Sequence, residues 1–189
     1  MTGKRPSLGC IEPYDDQNRF NRPYFEQAVQ NALRGRDMYD ILAYYSRSPS
    51  SGLWILDYDE KFLGLIALDA SLDSVQCTTP QKSSDYGRAQ KGTAQTAIIR
   101  HFYIDEVYRS SGIQGDLLRH AVQTAFDSDD HVLRIRAFDS PLNTYIRSCL
   151  QEAGFAIERP VDTVGLFKWK INMRILERDV WNSRDSASQ

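Results

Sequence analysis

The segment Arg109–Gly115, with the sequence RSSGIQG, follows a strand-like run and opens a helix with an apolar stripe. The first four peptide N–H groups of a helix have no acceptor within the helix and lie at the positive end of its dipole, and glycine lets a ligand approach the backbone closely. The segment therefore suits a phosphate or pyrophosphate; the alternative is an ordinary helix start, where glycine and serine are common. The P-loop lysine and the spaced glycines of a dinucleotide-binding turn are missing, which disfavours those two kinds of nucleotide site.

His101, in the preceding strand, is the candidate general base, because an imidazole titrates near neutral pH. A hydrogen-bonded structural histidine is the alternative, and strand alternation leaves open which way the ring faces. Asp139 could act as a base through water or anchor an ammonium group, although a turn or helix-capping role suits it as well. The Cys149 thiol and the Tyr145 phenol are further candidates, with packing in the core as their alternative role.

Alternating helices and strands are predicted to position these residues. Helical periodicity with capping residues marks the helices, and apolar runs or period-two alternation mark the strands. The predicted elements are, in chain order, a weak strand over 7–14, helices over 22–34 and 37–45, strands over 53–58, 62–68 and 96–104, a helix over 113–126, a strand over 132–138, a helix over 142–153, and strands starting at 155 and over 164–176.

Three local predictions accompany this order. Asp37 is expected to cap the second helix. The polar loop 73–95 is either substrate-facing or a tolerated surface insertion. On the last strand, Lys168, Lys170 and Arg174 alternate, which predicts a solvated face.

The composition is typical of a single globular domain. The chain has 189 residues, 41% of them hydrophobic, and its 23 basic and 25 acidic side chains leave a formal charge of −2. This balance argues against bulk nucleic-acid binding, and no apolar run reaches the roughly 20 residues that cross a bilayer. Cys10, Cys77 and Cys149 are too widely spaced to predict a disulfide framework or a zinc site. We expect an intracellular, cytoplasmic protein with one domain over 1–182 and a disordered tail over 183–189.

The order of elements and motifs resembles the GNAT superfamily of N-acetyltransferases over nearly the whole chain. Arg109 and Gly112 match the first two fixed positions of that family's Arg/Gln-x-x-Gly-x-Gly/Ala turn. Asn143 corresponds to the family's asparagine and Gly154-Phe155 to its common ending, and residues 37–54 look somewhat like the camello-like branch. The resemblance implies an α/β (α+β) fold with a mixed, mostly antiparallel central sheet flanked by helices.

The same resemblance implies acetyl-coenzyme A as the co-substrate. Its pyrophosphate would lie at the Arg109 turn, and its pantetheine arm would pair with the strand that contains His101. The residues assigned to this site by resemblance are Phe102, Tyr103, Ile104, Arg109, Ser110, Ser111, Gly112, Ile113, Gln114, Gly115 and Asn143.

Three positions depart from the family pattern. Gln114 stands where a glycine or alanine is usual, and Leu150 replaces a tyrosine that protonates the leaving thiolate in many members. Ile98 lies roughly where some members have a glutamate base. Catalysis would therefore need another proton route, through His101 or through water.

The leading hypothesis is an N-acetyltransferase that moves an acetyl group from acetyl-coenzyme A to a primary amine of a small molecule or a peptide. The alternative is a binding or regulatory module with the same fold and no turnover, which the three departures together favour. A structural interaction protein that binds no cofactor is the third interpretation. Neither a nucleic acid nor a membrane is an expected partner.

Overall fold

A computed structural model describes residues 23, 26–27, 30–74, 91–141, 143–164 and 167–185. Residues 23, 26–27 and 30–33 are helical and form the described part of α1. The other elements are α2 (Arg36–Tyr39), α3 (Ile41–Tyr45), β1 (Gly52–Tyr58), β2 (Lys61–Ser71), β3 (Thr93–Ile104), a 3₁₀ turn (Glu106–Tyr108), α4 (Ile113–Ser128), β4 (Arg134–Asp139), α5 (Thr144–Glu152), β5 (Ala156–Val164), β6 (Trp169–Glu177) and α6 (Arg178–Asp185).

The strands form one six-stranded sheet in the order β1-β2-β3-β4-β6-β5. Strands β3 and β4 are parallel, and every other neighbouring pair is antiparallel. The predicted fold, a mixed and mostly antiparallel sheet flanked by helices, is confirmed.

The predicted hairpin is confirmed as β1 and β2. Its turn residues Asp59 and Glu60 both have positive φ, 51° and 61°. Two consecutive left-handed residues match the right-handed twist of the strands that they join. Strand β2 continues beyond the predicted Leu68 as far as Ser71.

The two faces of the sheet are covered by different helices. Helices α4 and α5 cover one face, which we call the α4 face, and bury the main hydrophobic core with strand residues such as Ile66, Ile99 and Ile135. Helix α3 lies on the other face, the α3 face, where Tyr44 and Tyr45 pack on Ala67. The apolar stripe of α4 is buried as its periodicity predicts.

The prediction of one helix over 37–45 capped by Asp37 was wrong. Two short helices occupy this segment, and Asp40 caps the second by accepting a hydrogen bond of 3.0 Å from the Ala43 amide. Asp37 lies inside α2 and is buried. An acidic residue near a helix start is often the capping residue, which is why Asp37 was predicted to be one. In the structure Asp37 is buried inside α2 and caps no helix.

The last helix, α6, was not predicted. Its first residue, Arg178, donates hydrogen bonds to the carbonyls of Phe126, Asp129 and Val132 and to the carboxylate of Asp130. The Phe126 carbonyl lies in the last turn of α4, where carbonyl groups have no N–H donor within the helix, and the Asp129 and Val132 carbonyls follow the helix end. Residues 183–185 belong to α6, and the remainder of the proposed tail lies outside the described residues.

Several predicted segments fall wholly or partly outside the described residues. They are the strand over 7–14, much of the helix over 22–34 and most of the polar loop, including 75–90. Within the described part of the chain, none of the helices combines the length and the apolar character needed to cross a bilayer.

Candidate active site

Strands β3 and β4 separate toward their carboxyl ends. Their parallel pairing runs from Thr96 opposite Arg134 to Ile99 opposite Ala137 and ends there. Beyond this point β3 pairs only with β2, and β4 pairs only with β6. The edge of β3 over residues 100–104 therefore faces an opening between the two strands, which we call the β3–β4 opening. Free peptide groups at such an edge can hydrogen-bond an extended ligand.

A β-bulge in β3 sets the direction of His101. The register places Leu68 opposite Ile99 and Ala67 opposite His101, so that Arg100 is an extra residue. Ile99 and Phe102 are three residues apart, yet both pack on the α4 face. Because strand side chains alternate, this requires the inserted residue, and it leaves Arg100 and His101 on the α3 face.

The His101 ring is held by Asp37. Its Nε2 lies 2.5 Å from Oδ2 of Asp37, and the Tyr45 hydroxyl donates to the same oxygen at 2.9 Å. The His101 side chain is 18% exposed and the Asp37 side chain 9%. Nδ1 of His101 has no partner among the described residues. A carboxylate that accepts a hydrogen bond from Nε2–H leaves Nδ1 as the basic nitrogen.

The electrostatics favour an ionised Asp37. Burial raises the pKa of this carboxyl. The hydrogen bond and charge of His101, the hydrogen bond from Tyr45 and the charge of Arg100 together lower the pKa by more than burial raises it, so that it lies below the ordinary value of 3.8. Burial, and then the charge of Asp37, raises the pKa of the Tyr45 phenol, which therefore remains a donor. An ionised Asp37, held by Tyr45, therefore favours the His101 tautomer with its proton on Nε2.

Asp37→Asn should lower stability in a pH-dependent way. Because folding lowers the pKa of Asp37, its ionised form stabilises the folded protein above the ordinary value of 3.8, and this contribution is lost as the pH falls through the folded-state pKa. We expect a loss of about 1–3 kcal/mol at pH 7. Urea unfolding of parent and variant at pH 7 and pH 3 should show the difference shrinking in acid.

The matched control for this experiment is Asp40→Asn. Asp40 caps α3, and asparagine caps a helix as well as aspartate does, so this variant should unfold like the parent. A stability difference for Asp37→Asn that is the same at both pH values would mean that its charge is not what stabilises the site.

A second buried network holds Arg100 away from the opening. Arg100 Nε donates to Oδ2 of Asp69 at 2.8 Å, and the Tyr44 hydroxyl donates to the same oxygen at 2.8 Å. Arg47 lies beside them and donates to Asp73 from Nη1 at 2.8 and 2.9 Å. The charge of Arg100 is thus neutralised within the protein, and His101 is the bulge residue with a ring nitrogen that has no partner in the described part of the chain.

The turn before α4 offers amides to an anion, although fewer than the sequence predicts. Gly112 has φ 81°, a left-handed conformation that favours glycine. The amides of Ser111 and Gly115 already donate to the carbonyls of Tyr108 and Gly112. Among the described residues, the amides of Gly112, Ile113 and Gln114 have no acceptor. A Cβ added at Gly112 or Gly115 would meet nothing within 4 Å, so the space above the turn is open.

The Arg109 guanidinium points into the protein. Its Nε donates to the Ile104 carbonyl at 3.2 Å, and its Cζ lies 4.6 Å from the centre of the Tyr145 ring. Burial raises the pKa of Tyr145, and the charge of Arg109 opposes that shift. Arg109 therefore ties the end of β3 to α5 across the opening, whereas the sequence suggests a direct contact with phosphate.

The remaining residues assigned by resemblance occupy different surroundings. Ile104 is fully buried, Phe102 and Ile113 pack against the main core, and Tyr103 stacks on Phe62 with ring centres 6.1 Å apart. Ser110 is exposed, and the Ser111 hydroxyl donates to the Tyr108 carbonyl at 2.6 Å. The Oε1 atom of Gln114 is buried and has no hydrogen-bond partner among the residues that the structure describes.

Asn143 lines a cavity at the carboxyl end of β4, which we call the β4 cavity. Its volume is about 280 Å³, and its described lining includes Phe138, Asn143, Ile146, Val161, Asp162 and Ile171. The side chain of Asn143 makes no capping hydrogen bond with α5. Asn143 therefore lies beside the opening, facing a space that is mainly apolar.

The structure places Asp139 in a buried cluster of ion pairs. The carboxylate is buried and accepts hydrogen bonds from Nε of Arg147 at 3.0 Å and from Nε of Arg174 at 2.8 Å. It is neither a turn residue facing solvent nor a free base. Arg174, predicted on a solvated face, is only 4% exposed. These three side chains join β4, α5 and β6.

The other candidates for proton transfer lie in the core. Burial raises the pKa of the Cys149 thiol to about 12, which leaves little thiolate at neutral pH. Leu150 is fully buried in the main core, and Ile98 is 2% exposed. Among the described residues, no three His, Cys, Asp or Glu side chains are grouped as a metal site requires. His101 is thus the candidate base with a geometry suited to proton transfer.

Residues 14–155 match the model of the acetyltransferase (GNAT) family. The match covers most of the chain, so this chain belongs to the GNAT family, as the resemblance of its motifs implied. The camello-like branch is not confirmed. None of the curated proteins compared with the chain matches it.

The fold is similar to that of solved acetyltransferases. A GNAT-family acetyltransferase from Streptococcus pneumoniae has a TM-score of 0.54 and 15% identity over 74% of each chain. Aminoglycoside acetyltransferase AAC(6')-Ib in complex with coenzyme A has a TM-score of 0.52 and 18% identity, over 77% of this chain and 74% of that one. Ribosomal-protein-alanine N-acetyltransferase from Brucella melitensis has a TM-score of 0.53 and 14% identity, over 75% and 76%.

Proposed function

We propose that this protein is an N-acetyltransferase that transfers an acetyl group from acetyl-coenzyme A to a primary amine. The observation that carries the proposal is the β3–β4 opening, with an unpaired strand edge on one side, free amides at the start of α4 and the His101–Asp37 pair on the α3 face. Together these features can hold an extended anionic donor beside a base.

The residues of the opening suit coenzyme A. The amides of Gly112, Ile113 and Gln114 would hold the pyrophosphate, and the open space above Gly112 and Gly115 leaves room for its oxygens. Within the stretch Phe102–Ile104, the peptide groups that face the free edge of β3 would hold the pantetheine arm, the Ile104 carbonyl being already bonded to Arg109. Bound acetyl-coenzyme A would supply the acetyl group as an activated thioester.

The chain's own part in the reaction is to position the amine and to accept its proton. An ammonium ion has no free electron pair, so it must lose a proton before the nitrogen attacks the carbonyl carbon. Nδ1 of His101 accepts this proton, and Asp37 stabilises the resulting imidazolium through Nε2–H. The reaction forms one N–C bond and breaks one C–S bond, and solvent returns a proton to the sulfur.

Thiol release tests the proposal directly. The full chain is mixed with acetyl-coenzyme A and a panel of primary amines, and free thiol and acetylated amine are measured at pH 7.5. We expect both products in equal amounts. Binding of acetyl-coenzyme A by calorimetry without any turnover would support a silent acetyltransferase-fold module, which the buried Leu150 and Ile98 favour. No binding at all would reject both functions.

Arg109→Lys separates two roles of the guanidinium. Lysine keeps the charge but loses the bond from Nε to the Ile104 carbonyl and the stacking on Tyr145. We expect Arg109→Lys and Arg109→Ala to weaken coenzyme A binding alike, by about 1–3 kcal/mol, because both lose the geometry of the turn. Normal binding by Arg109→Lys, with a loss only in Arg109→Ala, would show that the charge itself contacts phosphate. Calorimetric titration of the folded variants measures both.

A further inference from the structure

We propose that the acceptor lies on the part of the α3 face next to His101, and that it is an elongated dication: a primary amine, an apolar linker and a second positive group at the far end. The inference rests on the proposed acetyltransferase function and deepens it by naming the substrate class. Three observations carry it: an exposed apolar row of the sheet, its position beside the base and the acidic residues beyond it.

Residues that lie opposite one another on β1, β2 and β3 form rows across the α3 face. One row, which we call the covered row, consists of Leu53, Ala67 and His101. Tyr44 and Tyr45 of α3 pack on Ala67 and Leu53. Helix α3 therefore covers this row of the sheet.

The next row, which we call the open row, consists of Ile55, Leu65 and Tyr103. Each of them is two residues from its neighbour in the covered row, so strand alternation places them on the same face. Ile55 is 60% exposed and Tyr103 is 42% exposed, and Phe62, which stacks on Tyr103, is 43% exposed. An apolar surface that spans three strands thus meets solvent, and covering it with an apolar body is favourable.

The open row borders the base. Tyr103 follows His101 by two residues on the same face of β3, a separation of about 6.6 Å between Cα atoms. On the other side of His101 along the strand, Arg100 is occupied by its bond to Asp69. A molecule that lies on Tyr103 and Leu65 can therefore present an amine to Nδ1 of His101, while the thioester approaches from the β3–β4 opening.

The far end of the open row is acidic. Asp57 lies opposite Phe62 and hence on the same face of the sheet, and Asp59 and Glu60 form the turn that follows. In the part of the chain that the structure describes, no ion pair joins these three carboxylates to a basic side chain. Lys61 is the one basic residue between positions 57 and 62. Charge complementarity therefore favours an occupant with a positive group at this end.

The separation of the base from Asp57 sets the length of the occupant. His101 and Asp57 are four residue steps and two strand spacings apart in the register, which is roughly 16 Å between Cα atoms at ordinary sheet geometry. The surface between them is the open row. A second ammonium held there would lose hydration without gaining a partner, which is unfavourable. A long apolar linker avoids this loss and places the second charge beside Asp57.

The test compares α,ω-diaminododecane with ω-aminododecanol, which has the same length and a neutral far end, and with α,ω-diaminobutane, which is too short. The full chain is assayed with saturating acetyl-coenzyme A by thiol release. We expect kcat/KM for α,ω-diaminododecane to exceed that for ω-aminododecanol by at least about threefold. It should exceed that for α,ω-diaminobutane by about tenfold or more, because the longer linker buries apolar surface.

Two variants separate the linker contact from the charge contact. Tyr103→Ala should raise KM for α,ω-diaminododecane by about tenfold with little change in kcat, because the ring beside the base is lost. Asp57→Asn should lower kcat/KM for α,ω-diaminododecane by about threefold and leave that for ω-aminododecanol unchanged, because only the diamine has a charge at its far end.

The matched controls are Asp127→Asn and Ile157→Ala. Asp127 is an exposed acid in the last turn of α4, and Ile157 is an exposed apolar residue on β5, at the other edge of the sheet from β1. Both variants should behave like the parent. Equilibrium dialysis with coenzyme A present gives a readout that needs no turnover: α,ω-diaminododecane should bind to the parent and to both controls, and lose affinity in Tyr103→Ala.

The outcomes separate this inference from the proposed function. Equal kcat/KM for α,ω-diaminododecane and ω-aminododecanol, an equal effect of Asp57→Asn on both, or unchanged KM in Tyr103→Ala would overturn the dication site and leave the acetyltransferase standing. A dimer that Tyr103→Ala dissociates, seen by sedimentation, would overturn it as well, since a second copy would then cover the open row.

Binding of α,ω-diaminododecane that Tyr103→Ala weakens, without thiol release from any amine, would uphold the site and reject the enzyme. Neither binding nor turnover would reject both.

Discussion

His101→Gln should lower the turnover number at pH 7 by about 10²–10⁴, the usual contribution of a general base. Glutamine keeps a hydrogen-bonding group of similar size next to Asp37 but cannot accept a proton from an ammonium ion. Binding of coenzyme A should change little, because the ring lies on the α3 face and the free amides belong to the turn before α4. Activity should return in part as the pH rises, since a larger fraction of the amine is then neutral in solution.

His131→Gln provides the control for this measurement. The His131 side chain is 76% exposed and lies after α4, away from the β3–β4 opening, so its loss should leave the pH profile unchanged. Steady-state kinetics from pH 6 to pH 9 on both variants and the parent distinguish the roles. Parental turnover by His101→Gln across this range would make the histidine structural and assign the proton to water.

Asp139→Asn should destabilise the protein by about 3–5 kcal/mol, because it leaves the buried guanidinium of Arg174 without its counter-charge. The side chains of Asp139 and Arg174 are 0% and 4% exposed. Apart from the substituted side chain, the hydrogen-bond acceptor that the structure shows for the Arg174 guanidinium is the Phe155 carbonyl, at 2.9 Å. Urea unfolding at pH 7 measures the loss of stability.

An exposed ion pair offers the comparison. Asp116 and Arg119 lie one turn apart on α4 with side chains 76% and 63% exposed, and Asp116→Asn should cost less than about 0.5 kcal/mol. If Asp139→Asn loses no more stability than Asp116→Asn, the buried cluster of Asp139, Arg147 and Arg174 does not hold β4, α5 and β6 together.

Much of the fold was predictable because its signals are local. The hairpin of β1 and β2, the stripe of α4 and the end of α5 just before Gly154 follow from periodicity and turn residues over a few neighbouring positions. The solvated face predicted from Lys168, Lys170 and Arg174 is exposed at the two lysines and wrong at Arg174. Arg174 is buried because it pairs with Asp139 of β4 and with the Phe155 carbonyl, partners that lie far away in the sequence.

The candidate site was predictable only in part. The turn predicted to bind phosphate is a continuous motif, and among the described residues three of its amides have no acceptor. The partner of His101 was missed because Asp37 lies 64 positions away, and its place near a helix start resembles that of an ordinary cap. The direction of His101 depends on the bulge at Arg100, which no pattern within β3 reveals. The catalytic assignment of His101 stays a prediction.

The place of β6 also has a consequence for synthesis of the chain. Strand β5 is synthesised before β6 and pairs only with β6. Strand β4 is synthesised before both, and one of its two edges also pairs with β6. A chain emerging from the ribosome therefore carries β4 with an open edge until the last strand arrives, and β5 and β6 must join as one hairpin. The half of the sheet that borders the β4 cavity is therefore completed last.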